Sequence, residues 1–167
     1  MKKLFIVAFL TIVALVGCGT TEKEPVQNAG ANEDTNVNAA QQVVSKTLLL
    51  YKSDAQAEST MPFEVSYTGD DSGLVPFIFN NVNEHDVALL DYNVENENKS
   101  LTLNLGDDIF SIQGSAGATM FVQTLVKSYF ENYPELEDVK FLYKGSDEPV
   151  LDHMEIGKAY TRAEVGM

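Results

Sequence analysis

The helix that organises the fold is indicated by residues 114–134, which read GSAGATMFVQTLVKSYFENYP. Apolar side chains recur there at spacings of three and four, as on the buried side of a helix, at positions 118, 122, 125, 126, 129, 130 and 133. Ser115 is a suitable N-cap residue, and Pro134 disfavours helical geometry at Tyr133. The pattern therefore predicts one long amphipathic helix, capped by Ser115 and ended by Pro134.

Strand patterns precede this helix. Residues 47–51, TLLLY, form a continuous apolar run, which is typical of a central strand covered on both faces. Residues 63–67 alternate between apolar and polar side chains, and Pro62 favours an edge position for that strand. Residues 87–94 and 100–105 enclose a polar loop and predict a hairpin.

The remaining segments complete an alternating order. Residues 74–79 are ambiguous: a cap at Asp71 or Ser72 and Pro76 in a first turn favour a short helix, whereas the Val, Ile and Phe content weakens that interpretation. A last strand is predicted at residues 139–143. The order β-β-α-β-β-α-β predicts an α/β domain of the α+β type, with one small mixed β-sheet and two helices on one face.

The chain begins with the features of an exported lipoprotein. Two lysines precede an apolar run at residues 4–16, and residues 15–18 read LVGC. As a helix the run would reach about 20 Å, too short for a bilayer core of about 30 Å. These features indicate a signal peptide, residues 1–17, that is removed before a lipidated Cys18. The protein is then expected at the cell membrane, lipid-anchored on the extracytoplasmic face.

Composition separates a tether from a folded body. Between residues 19 and 45 every apolar residue is Ala or Val, and every aromatic residue outside the signal lies beyond residue 46. Such a segment cannot build a core, so residues 18–45 are predicted to form a disordered tether with a reach on the order of 30 Å. Residues 46–167 are expected to form a single domain that needs neither disulfides nor metal.

Charge restricts the classes of partner. The chain has 11 Lys and Arg residues against 25 Asp and Glu residues, a formal net charge of -14. Nucleic acid is not an expected partner, because phosphate recognition depends on clustered Lys and Arg. One Cys and two His leave little material for a zinc site, and no metal or cofactor is expected. The pairs Asp70-Asp71 and Asp107-Asp108 and the run Glu95 to Glu97 have oxygen ligands that suit a cation such as calcium. They lack the spacing of a calcium-binding loop, however, and are interpreted as solvated loops.

Several segments of the body resemble the GerM-type (GerMN) domain, which is named for a sporulation and spore-germination lipoprotein and occurs in lipoproteins of Gram-positive bacteria. The resemblance is carried by LLY at 49–51 with Asp54, LTLNL at 101–105, GSA at 114–116, FENYP at 130–134, VKFLYKG at 139–145, HMEI at 153–156 and YTR at 160–162. It covers most of residues 47–165. Residues 70–84 depart from the family pattern, which usually has a longer helix rich in Ala and Leu.

The resemblance implies a fold similar to the ring-building motif, a small α/β module of secretion and sporulation assemblies. Members of the family are not known as enzymes, so no catalytic residue is expected. The lipoprotein that names the family resembles a tandem of two such domains, whereas this chain has one. The resemblance therefore implies a GerM-like module in the cell envelope, with sporulation, germination or envelope assembly as candidate processes.

Ser115, His153 and Arg162 are the candidate ligand or family-motif positions. Ser115 stands at a helix start, where it suits a nucleophile or an anion site, but no GxSxG motif or identifiable base accompanies it. His153 is interpreted as a structural hydrogen-bonding group, and Arg162 belongs to the closing YTR segment. The preferred function is a non-enzymatic module that binds an envelope protein or its own copies. The alternatives are a binding protein for a small ligand or cell-wall fragment, in a cleft beside Ser115, and a hydrolase.

Overall fold

The computed structural model describes residues 45–148 and 154–167. The signal peptide, Cys18 and the tether up to residue 44 lie outside the described residues, as does His153. Ser45, the last residue of the predicted tether, already belongs to the first strand, so the folded part begins one residue earlier than predicted. In the part of the chain that is described, no helix is both long enough and apolar enough to cross a membrane.

The described residues form strands and helices in the predicted order along the chain, and one further short strand follows the last predicted strand. The elements are β1 (Ser45–Ser53), β2 (Thr60–Thr68), α1 (Leu74–Val82), β3 (Leu89–Glu95), β4 (Ser100–Leu105), α2 (Gly114–Asn132), β5 (Asp138–Tyr143) and β6 (Ala159–Thr161). Single 3-10 turns precede α1, precede α2 and follow β6. The α+β class is confirmed, as is the hairpin of β3 and β4.

The expected single sheet is divided into two. β1 and β2 form a two-stranded antiparallel sheet, and β3, β4, β5 and β6 form a four-stranded sheet in that order. In the larger sheet β4 and β5 are parallel, which requires a crossover connection, and α2 supplies it. β6 pairs antiparallel with the outer side of β5. β2 has β1 as its neighbour and ends its sheet, as Pro62 predicted.

The prediction that the TLLLY segment is a central strand is wrong. β1 pairs with β2 along one edge, and its other edge faces α2. There the backbone N–H of Tyr51 donates to Ser128 Oγ at 2.8 Å, and Asn132 Nδ2 donates to the carbonyl of Leu49 at 2.9 Å. Side chains of a helix thus take the hydrogen bonds that a neighbouring strand would make. The small sheet stops at β1 for this reason.

One apolar core joins the helices to the larger sheet. The inward side of that sheet is buried at Leu101, Leu103, Leu105, Val139 and Phe141. The ring of Phe121 on α2 lies 6.2 Å from that of Phe141, and α1 contacts α2 and β3. Fully burying an aliphatic or aromatic side chain is worth about 1.5–3 kcal/mol, which exceeds differences in helix propensity.

The ambiguous segment is a helix because burial decides its conformation. α1 buries Leu74, Val75, Ile78, Phe79 and Val82. Pro76 lies in its first turn, as expected. The preceding 3-10 turn is capped by Asp70, whose side chain accepts from the N–H of Gly73, one residue before the predicted capping positions.

Candidate functional site

The predicted cap of α2 is wrong. The helix begins at Gly114, and Gln113 rather than Ser115 occupies the N-cap position. Gly114 has a φ of 71°, in the left-handed region that glycine adopts without a Cβ clash, and this turn directs the chain into the helix. Ser115 is exposed in the first helical turn. A serine after a glycine suggests a cap in the sequence, whereas the backbone places it inside the helix.

A cavity of about 430 Å³ lies beside the first turns of α2 and the turn between β1 and β2. Its lining includes Lys52, Asp54, Met61, Glu84, His85, Gly117, Met120 and Phe121. Ser115 is not among its lining residues. The His85 ring packs edge-on against Phe121 at 6.0 Å, and Asp54 accepts from Ser59 Oγ, which lowers the pKa of Asp54. His85 and Asp54 in the cavity lining thus already have partners within the protein, and Ser115 does not line the cavity.

A second cavity, of about 470 Å³, lies where α1 begins, beside β3 and the C-terminal end of α2. This cavity is termed the tyrosine cleft. Its polar and aromatic lining consists of Lys46, Asp71, Ser72, Tyr92, Asn98, Asn132, Tyr133 and Glu135. Lys46 and Asp71 form an ion pair of 3.1 Å in this lining.

Hydrogen bonds from tyrosine hydroxyls hold one wall of the tyrosine cleft in place. Each donates to a backbone carbonyl within residues 70–75: Tyr67 to Asp70, Tyr92 to Ser72 at 2.8 Å and Tyr129 to Val75 at 3.0 Å. The tyrosines come from β2, β3 and α2. The segment before and within α1 is thus fixed from three elements, and the wall it forms is preorganised.

The hydroxyl group of Tyr133, unlike those of these three tyrosines, donates to no backbone carbonyl among the described residues. Its ring lies 6.5 Å from that of Tyr129, and among the described residues no side chain or carbonyl accepts a hydrogen bond from its hydroxyl. Burial, followed by the charge of Asp71, raises the pKa of Tyr133. The hydroxyl is therefore protonated near neutral pH and is a donor that a bound molecule can use.

Arg162 holds the C-terminal end of α2. Its Nη2 donates to the carbonyls of Phe130, Tyr133 and Pro134 at 2.9, 3.1 and 3.2 Å. Its guanidinium lies 4.7 Å from the centre of the Phe130 ring. A helix leaves its last carbonyls without internal donors, and a cation suits that end of the helix dipole. The structure thus places Arg162 in a role that stabilises the helix end.

Asp107, in the pair Asp107-Asp108, is engaged by neighbouring side chains. Asp107 accepts from Lys144 at 2.7 Å and from Tyr143 at 2.6 Å, and these hydrogen bonds, that of Lys144 first, lower the pKa of Asp107. Among the described residues, no three or more His, Cys, Asp or Glu side chains are grouped so as to hold a metal ion.

Comparison with known proteins rests on solved structures, since no family model and no curated protein matches the chain. The tandem GerMN domains of the sporulation protein GerM from Bacillus subtilis match with a TM-score of 0.50 and 16% identity, over 80% of this chain and 49% of that chain. A candidate lipoprotein from Clostridium perfringens matches with a TM-score of 0.43 and 11% identity, over 73% of this chain and 89% of that one.

The described domain is thus a small mixed α+β module. It has the GerMN-type fold, as the sequence resemblance predicted, and the chain spans about half the length of the tandem GerM structure.

Proposed function

We propose that this protein is a membrane-anchored extracytoplasmic lipoprotein whose GerMN-type domain binds another protein and catalyses no reaction. The anchor is supported by the sequence LVGC at residues 15–18, which contains the only cysteine of the chain. A diacylglyceryl group on Cys18 supplies two acyl chains, and two chains give stable membrane attachment. GerM is a sporulation protein, and this supports sporulation as the process; germination and envelope assembly are the other candidates that the sequence resemblance implies.

The fold presents apolar side chains at one end of the larger sheet. Leu90 is 52% exposed and Phe110 is 50% exposed. They flank the segment that leaves β4: a Cβ on Gly106 would lie 3.5 Å from Leu90, and the Phe110 ring packs edge-on against Tyr143 at 5.3 Å. Exposed large apolar side chains of this kind occur in protein contact surfaces. We expect the partner, an envelope protein or a second copy of the chain, to contact this end.

Crosslinking in intact cells tests the proposal. A photoreactive residue is placed at Leu90 or at Phe110, and the matched control carries it at Asn93, an exposed position of β3. We expect the first two positions to give one identifiable product that the control does not give. Cys18→Ser should reduce the yield, because the domain is no longer held at the membrane. Equal products from all three positions, or none, would contradict a contact at this end.

The absence of catalysis is tested separately. Ser115 is exposed and stands apart from the lining of the neighbouring cavity. Ser115→Ala and His153→Ala chains are expected to give the same crosslinked product and the same cellular phenotype as the unchanged chain. A folded variant that keeps the product but loses the phenotype would indicate a chemical role for that residue.

A further inference from the structure

The tyrosine cleft continues into an apolar notch. Aliphatic side chains of Val75, Val94, Leu101 and Leu136 line the notch, together with Asn98 and Tyr133, and its volume is about 10 Å³. Val75, Val94, Asn98 and Tyr133 also line the wider cleft, so the two spaces adjoin. The notch has about the minimum volume for one water-sized group, and its aliphatic walls favour a methyl group over water.

The wide part of the tyrosine cleft offers both donors and acceptors. Its volume of about 470 Å³ lies within the usual range of ligand sites. Lys46 and Tyr133 supply donors, while Glu135 and the second carboxylate oxygen of Asp71 supply acceptors. Tyr92 is 37% exposed and adds an aromatic surface. A sugar ring, whose hydroxyls donate and accept and whose C–H groups pack on aromatic rings, uses all of these groups.

Charge disfavours an anionic ligand. Lys46 is paired with Asp71, so these two charges compensate each other and Glu135 leaves the lining with a negative charge. The whole chain has a formal net charge of -14, which disfavours an anionic ligand. The cleft therefore suits a polyhydroxylated ring that has no negative charge and carries a small apolar group.

We propose that the tyrosine cleft binds an N-acetylated hexosamine, with the acetyl methyl in the notch and the acetyl carbonyl accepting a hydrogen bond from Tyr133 Oη. Tyr133 lines both the notch and the cleft, so its side chain borders the space for both parts of an acetamido group. The ring hydroxyls then meet Lys46, Asp71 and Glu135. This inference is independent of the lipid anchor and of the protein partner, so it can fail without affecting either.

Isothermal titration of the full chain tests the ligand class. N-acetylglucosamine is expected to bind with saturation, whereas glucose, which has a hydroxyl in place of the acetamido group, binds more weakly. Tyr133→Phe removes one hydroxyl and should weaken N-acetylglucosamine binding roughly 2- to 12-fold, the loss of one hydrogen bond. The matched control is Tyr143→Phe, the same change at a hydroxyl that bonds Asp107 outside the cleft, and it should leave the affinity unchanged.

A second variant tests the notch. Val94→Ile adds one methyl group where the acetyl methyl is expected, so it should abolish the preference for N-acetylglucosamine over glucose without abolishing glucose binding. Comparison of the monosaccharide with its β-1,4-linked trimer separates the two sources of this sugar. Tighter trimer binding assigns the site to a glycan chain, and equal affinities assign it to a single sugar.

The proposal is overturned by any of three results. One is equal binding of glucose and N-acetylglucosamine to the unchanged chain, and another is the lack of saturable binding. The third is an undiminished affinity of the Tyr133→Phe chain when its unfolding midpoint matches that of the unchanged chain.

Discussion

Replacement of Ser128 by alanine removes a hydrogen bond between α2 and the edge of β1 that has no neighbouring strand. Ser128 is 0% exposed, and its Oγ accepts from the backbone N–H of Tyr51 and donates to the carbonyl of Thr124 at 2.6 Å. Without the hydroxyl, the Tyr51 N–H has no acceptor, which costs about 1–3 kcal/mol. The higher helix propensity of alanine offsets up to about 0.5 kcal/mol of this loss of stability. The expected net loss of stability is therefore about 0.5–2.5 kcal/mol.

Urea unfolding followed by circular dichroism measures this loss, and amide hydrogen exchange locates it. The matched control is Ser115→Ala, the same substitution at an exposed position of the same helix, which is expected to change stability by less than about 0.5 kcal/mol. In Ser128→Ala the amide of Tyr51 should exchange faster than in the unchanged chain. If both variants unfold at the same urea concentration and the Tyr51 amide keeps its protection, α2 does not hold β1 as described.

A Cβ on Gly73 would lie 2.7 Å from Tyr67 Oη, so Gly73→Ala should lower the free energy of unfolding in urea by about 1–3 kcal/mol. When Gly73→Ala is combined with Tyr67→Phe, the loss of stability should be smaller than the sum of the two single losses. Arg162→Lys loses the planar set of donors at the end of α2 and should destabilise the chain by about 1–2 kcal/mol, with faster exchange in the last helical turn; unchanged exchange there would refute the cap. Asp107 favours its charged form when folded, so its contribution to stability is present above its unfolded pKa and is lost as pH falls through the lower folded pKa. A carboxyl titration by NMR should show the midpoint rising in Lys144→Met, and a constant midpoint would contradict the assigned cause.

Local periodicity was sufficient to predict those helices and strands whose residue pattern fits only one kind of secondary structure. The three-and-four spacing around Leu125 predicted α2, and the alternation around Leu103 predicted the strand of the hairpin. The segment around Ile78 could not be assigned in this way, since its residue types favour strands while its burial in the core requires a helix. That burial depends on distant residues, which no local pattern contains.

The position of β1 was mispredicted because its neighbour is a helix. Ser128 and Asn132 are four residues apart, so they share one side of α2, but in the sequence they look like ordinary polar helix residues. Only the folded chain shows that they bond the backbone at Tyr51 and Leu49. An apolar run alone does not distinguish a strand between two strands from one beside a helix.

The tyrosine cleft could not be predicted from any motif. Its lining comes from residues as far apart as Lys46, Tyr92 and Tyr133, and the helix pattern marked Tyr133 simply as part of the core stripe. The capping role of Arg162 was hidden for the same reason, because the carbonyls that it binds lie 28 to 32 residues earlier. The roles of Cys18 and His153 stay predictions.

Mass spectrometry of the amino-terminal peptide, from protein isolated from the membranes of the native host, tests the membrane anchor most directly. We expect a first residue at Cys18 that carries a diacylglyceryl thioether, and we expect the Cys18→Ser chain to lack this modification. A peptide that begins at Met1, or a mature Cys18 with a free thiol, would contradict the assignment of this protein as a lipoprotein.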